Sequence, residues 1–157
     1  MIIKDIVLLS DEKKMLSDLQ TSSTIHSLRK SWIIKIISKD NIIGYGEASI
    51  LDGFNMESFD EVGYALEGFK IAVRGIKDDI DLSELLILAD VHTIYSSSAH
   101  FALETALYDI ESKLNSKTLC SYLNTSSYTK VAMNGIEGIT THTKYNVIKI
   151  KAGFRNL

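Results

Sequence analysis

The apolar residues of this chain change period partway along it. Up to residue 48 they stand in β-branched runs, at 2–9, 32–37 and 41–48, the last carrying Ile42, Ile43 and Tyr45 around Gly44 and Gly46. From Phe59 onward they recur at three- and four-residue steps. Side chains on a strand alternate between two faces, whereas steps of three and four gather them on one stripe of a helix. The expected order is therefore a small sheet followed by helices, an α+β arrangement. Ser38-Lys39-Asp40-Asn41 has the chemistry of a tight turn, so the second and third runs read as a hairpin and the three together as an antiparallel meander. Residues 10–30 are polar with no strong period and read as a long loop, a length that in a compact domain points to function or partial disorder.

Ser58-Phe59-Asp60-Glu61 is a capping box, and Phe59, Val62, Leu66, Phe69 and Val73 follow it on one stripe until Gly75 supplies a stop. Residues 82–91 make a shorter, very apolar helix after Asp78-Asp79. Ser98 reads as the cap of a longer one, whose stripe of Ala99, Leu103, Ala106, Leu107, Ile110 and Leu114 is core packing; Phe101 is expected in the same core. After a helical turn at 117–123, residues 130–133 and 147–151 return to strand character.

Composition excludes several classes. With 157 residues, 45% hydrophobic and 24% charged, the chain has the make-up of a soluble globular protein. Its formal net charge is −3, with Lys and Arg scattered rather than clustered, so no nucleic-acid partner is expected. Lys4 and Asp5 interrupt the apolar N-terminus, which reads as a strand and not a signal peptide. No apolar span approaches the ~18 residues a membrane helix needs. The single cysteine, Cys120, cannot form an internal disulfide; it is expected on the apolar side of a short helix, and a cytoplasmic location fits. Proline is absent, where average usage of about 5% predicts roughly eight. Loops should be less stiff than usual.

Lys149-Ile150-Lys151 ends the last run. Two lysines two apart on a strand share a face, and their repulsion can push one towards neutrality and make it a base. The plainer reading of such a pair is solvated charge.

Five local sequences, in order, resemble the front of the enolase superfamily of mandelate racemase/muconate lactonizing enzyme type, and most of all o-succinylbenzoate synthases. Thr21-Ser22 through Arg29-Lys30-Ser31-Trp32 is similar to the mobile capping loop and the strand after it. Gly44-Tyr45-Gly46-Glu47-Ala48-Ser49 with Asp52-Gly53-Phe54 resembles the third strand and its loop. Phe101 to Asp109 looks like the long capping-domain helix, Met133-Asn134-Gly135-Ile136 like the first barrel strand, and Lys149-Ile150-Lys151 like the lysine motif of the second. The resemblance implies a capping domain at 1–125, a three-stranded antiparallel meander plus helices, followed at 126–157 by the truncated start of a (β/α) barrel. It also implies a small carboxylate substrate held by a divalent metal, normally magnesium, with Lys151 as the base and Lys149 beside it. Ser22, Ser23, Thr24, His26, Leu51, Gly53 and Phe54 would close over that substrate. The family's prolines are replaced by Ile50, Asp52, Ser97 and Ala132, and a loop arginine and glycine by Ser23 and Thr24.

A barrel takes about 200 residues, and 28 remain from Lys130 onward. The implied metal carboxylates have no positions to occupy, so the chain alone is expected to bind no magnesium and to be inactive. The expectation is thus an N-terminal piece of an o-succinylbenzoate synthase-like enzyme of menaquinone synthesis. A dipeptide epimerase of the same superfamily is the alternative, and a non-catalytic stand-alone interaction module a third reading. Val131, Met133, Val147, Ile148 and Ile150 would leave an open strand edge that favours self-association.

Overall fold

Alternation along the second strand sets the layers. In the computed structural model, which describes residues 1–20, 25–51, 57–126, 130–136 and 145–149, β1 (Ile3–Gln20), β2 (Ile25–Ser38) and β3 (Ile43–Ile50) form a sheet of order β1-β2-β3. Ile34, Ile36 and Ser38 of β2 are buried, and the residues between them less so. Both pairings are antiparallel, with Ile36 opposite Ile6 on one side and Gly44 on the other, so the expected meander is present. At its second turn Asn41 donates its N–H to the Ser38 carbonyl at 2.9 Å with φ at 60°, a left-handed conformation that Asn tolerates.

The described residues of the 10–30 segment are strand, not loop. β1 continues to Gln20 and β2 begins at Ile25, with Asp11 opposite Ser31, Lys14 opposite Leu28 and Leu19 opposite His26. This arm is solvated on much of both faces, so its strands carry no apolar alternation for a sequence reading to detect. Backbone pairing builds it, and the half-exposed Lys30–Glu12 pair at 3.4 Å adds little.

The helices α1 (Phe59–Arg74), α2 (Leu82–Thr93) and α3 (Ser97–Leu114) cover one face of the sheet, followed by the single turn α4 (Leu119–Leu123). None among the described residues is long and apolar enough to cross a membrane. The expected stripe of α1 is buried at Val62, Leu66, Phe69 and Val73, and that of α3 at Ala99, Leu103, Ala106, Leu107 and Ile110. α3 lies directly on β3 because glycine faces alanine there. A Cβ on Gly46 would stand 1.9 Å from the Ala102 carbonyl oxygen, and one on Gly44 2.3 Å from that of Ala106.

Several local expectations are corrected. Ser96, not Ser98, caps α3; the Ser98 N–H and hydroxyl instead bond the Glu57 carboxylate. Phe101 is 64% exposed, since two residues at 100° each turn it to the side of the helix opposite Leu103. Gly75 does stop α1 as expected, in a right-handed conformation with φ −76°. Cys120 is exposed, because a five-residue helix lying on the edge buries nothing. Residues 130–133 are not a strand, and Val131 is 81% exposed: none of the described residues pairs with them. The pairing comes later, where β4 (Gly135–Ile136) runs parallel to β5 (Ile148–Lys149), as at the opening of a (β/α) barrel.

Two capping boxes make the helix starts acid-sensitive. The Ser58 backbone N–H and then its hydroxyl hold the Glu61 carboxyl below the ordinary range, and the Ser83 hydroxyl and then the Glu84 N–H do the same for Asp81. A carboxyl depressed in the folded state adds stability above its unfolded value and loses it as pH falls through the folded one. Thermal midpoints should therefore drop on acidification through and below the ordinary carboxylate range, and a Glu61→Gln/Asp81→Asn variant should show a shallower drop. Parallel curves would contradict this assignment.

Candidate functional site

Beyond the start of α1 the helix-facing side of β2 continues into the arm. His26, Leu28 and Lys30 carry on the row of Trp32, Ile34 and Ile36, because residues two apart share a face. Together with Ile25, Ser27, Ile50 and Phe59 they line a cavity of about 320 Å³. Ile25, Leu28, Ile50 and Phe59 give it apolar walls. Phe59 is held by stacking on Trp32 at 4.9 Å between ring centroids, and the Trp32 Nε1 donates to the Phe59 carbonyl at 2.9 Å. From the odd-numbered side of β2, Arg29 donates to the Ser49 hydroxyl at 2.8 Å and carbonyl at 3.1 Å, which ties the base of the arm to β3.

The polar groups of the cavity are few. His26 is 6% exposed, and its Nε2 is buried with no hydrogen-bond partner among the described residues. Leaving such a group unpaired costs about 1–3 kcal/mol, which a ligand atom bonded to Nε2 would recover. Among the described residues Lys30 pairs with Glu12 alone, at 3.4 Å, with both side chains about half exposed, so its ammonium is accessible to an anion. The arrangement suits a small molecule with an apolar body and an anionic or hydrogen-bonding group.

Of the residues nominated by resemblance, His26 lies in this cavity, and half-buried Leu51 directly follows Ile50 of its wall. Lys149 sits exposed on β5, away from the lining. Ser22, Ser23, Thr24, Gly53, Phe54 and Lys151 lie outside the described residues, as does Ile150. Ile25 falls within the 21–26 loop expected to close over the substrate, whereas Ser27, Leu28, Lys30, Ile50 and Phe59 had not been nominated as site residues. For the even-numbered ones on β2 the signal is parity with Trp32, readable only once the arm is recognised as strand.

Magnesium does not fit what is described. Among the described residues no group of three or more His, Cys, Asp or Glu can hold a metal ion. Asp109 is occupied by the Tyr45 N–H at 2.9 Å and the Lys113 ammonium at 2.6 Å, and Glu57 by the start of α3.

No family model matches the sequence. Muconate cycloisomerase 1 of Acinetobacter baylyi is 30% identical over 115 residues, which is 71% of this chain and 29% of that protein. The chain thus spans less than a third of the curated relative's length. The structure of a dipeptide epimerase from Enterococcus faecalis V583, complexed with Mg and L-Leu-L-Tyr, superposes with a TM-score of 0.85 at 19% identity, over 98% of this chain and 46% of that one. An N-succinyl Arg/Lys racemase from Bacillus cereus matches with a TM-score of 0.76 at 20% identity, over 87% of this chain and 37% of that one.

Proposed function

This chain belongs to the enolase superfamily, and from that membership we propose that it is the substrate-capping part of an enzyme acting on a small carboxylate. The buried Nε2 of His26 in the cavity, without a hydrogen-bond partner among the described residues, carries this reading. A substrate carboxylate would meet the Lys30 ammonium, a second polar atom would bond His26, and the apolar body would lie against Ile25, Leu28, Ile50 and Phe59. Ser22, Ser23 and Thr24 from the arm and Leu51, Gly53 and Phe54 after β3 would close over it and exclude water. The capping unit would end at 125. From 126 the barrel would begin, with Lys151 taking the proton beside the carboxylate and Lys149 keeping that lysine neutral. Magnesium, which this chemistry normally uses to hold the carboxylate, would need donors other than the described residues.

Two substrates give this proposal its finer form. The motifs around Gly44, Phe101 and Lys149 favour an o-succinylbenzoate synthase, and the superposition over nearly the whole chain favours a dipeptide epimerase. Trp32, the single tryptophan, stacks on the cavity wall and reports occupancy. Titration with o-succinylbenzoate and with L-Leu-L-Tyr should change its fluorescence saturably for one of them, and the ligand that works selects the reading. His26→Ala and Lys30→Ala should each weaken that binding about tenfold, or ~1.4 kcal/mol. Silence with both ligands, or variants that bind as the parent does, would overturn the capping proposal.

A further inference from the structure

We propose that the outer face of α2 and α3 docks a cationic, amphipathic polypeptide segment. α2 buries Leu85, Ala89 and Thr93 towards the core, yet its other side is also apolar: Ile87, Val91 and Ile94 are 62%, 64% and 73% exposed. They follow one another at four- and three-residue steps and so form a single stripe. Tyr95, at the end of that stripe, and Phe101 on α3 extend it, 92% and 64% exposed. A helix that is apolar all round is normally covered all round, and an exposed patch of this kind marks an interaction surface. Between the two helices it opens into a cavity of about 520 Å³ lined by Asp90, Val91, Thr93, Ile94, Ser97 and His100.

Charge identifies the occupant. Between Lys77 and Lys113 the chain has eight carboxylates and no Lys or Arg, against a net charge of −3 for the whole chain. Glu84, Asp90 and Glu104 stand beside the apolar stripe, and the side chain that meets Asp90 is a histidine, His100, whose Nε2 lies 2.8 Å from it. A second copy docked through the same face would set acid against acid, and an anionic membrane surface would be repelled likewise. A segment that carries an apolar face flanked by Lys or Arg satisfies both the stripe and the carboxylates.

The full chain is titrated, by calorimetry, with an 18-residue Leu/Lys amphipathic peptide and with its Leu/Glu counterpart. The Leu/Lys peptide should bind one-to-one and at least tenfold more tightly than the Leu/Glu peptide. Val91→Asp/Ile94→Asp should weaken it at least tenfold, whereas Leu16→Asp on the arm, at a fully exposed leucine, should not change it. Ile87→Asp takes the place of the double variant if the latter loses helical circular dichroism. Equal affinity for the two peptides, no binding, or an equal loss with Leu16→Asp would overturn the proposal. So would a sedimenting dimer that Ile94→Asp dissociates, because the face would then belong to a second copy.

Discussion

Gly46→Ala is expected to be the most damaging single-methyl change in this chain, costing about 3 kcal/mol, the upper end of what overpacking costs. The new Cβ would stand 1.9 Å from the Ala102 carbonyl oxygen and 2.8 Å from its carbon. These are backbone atoms of α3, so no rotamer change can clear them and the helix must lift from β3. Gly44→Ala should behave alike, with its Cβ 2.3 Å from the Ala106 oxygen and 2.7 Å from the Ile110 Cβ. Gly68→Ala on α1 is the control. Its Cβ would meet the His92 Nδ1 at 3.0 Å, the end of a side chain that can shift, and helix propensity returns up to about 1 kcal/mol. Urea unfolding of the three variants measures the difference. If Gly46→Ala is as stable as Gly68→Ala, the close contact between α3 and β3 is not what holds the layers together.

Leu107→Ala should cost roughly 2–5 kcal/mol, since Leu107 is fully buried between α3 and the sheet. Ile148→Ala should cost well under half as much, because Ile148 is only half-buried on the two-residue β5, whose partner is the equally short β4. Chemical denaturation followed by circular dichroism compares them. Equal losses would mean that the β4–β5 pair is as firmly integrated as the layer of α3, and that the barrel start is not the weaker part.

What was legible in the sequence was legible because its cause is local. The Ser58/Glu61 box, the turn at Asn41 and the stripes of α1 and α3 each depend on groups within a few residues of one another. Asp81/Glu84 forms a second box of the same kind, and it was passed over although its D-x-x-E spacing is there to read. The caps of α3 were a harder case. Ser96, Ser97 and Ser98 are chemically equivalent in sequence, and Ser98 is drawn to Glu57, 41 positions away. Phe101 shows the limit of hydrophobicity as a guide: its size argued for burial, and its position round the helix turned it outward.

The site divides along the same line. Resemblance nominated His26, but the cavity exists because Ile50 and Phe59, distant in sequence, come up beside β2, and because the polar arm pairs with itself to hold Ile25 and Leu28 in place. By itself the sequence determined the order of strands and helices, the turn between β2 and β3, the buried stripes and the superfamily, since capping, turn chemistry and periodicity act over a few residues. Only the tertiary structure decided the long β1–β2 arm, the reason for Gly44 and Gly46, the His26 nitrogen that has no partner among the described residues, and the exposed apolar face of α2. Each of these is a distance between groups far apart in the chain, set by close packing and backbone pairing, and no local pattern of residues encodes such a distance.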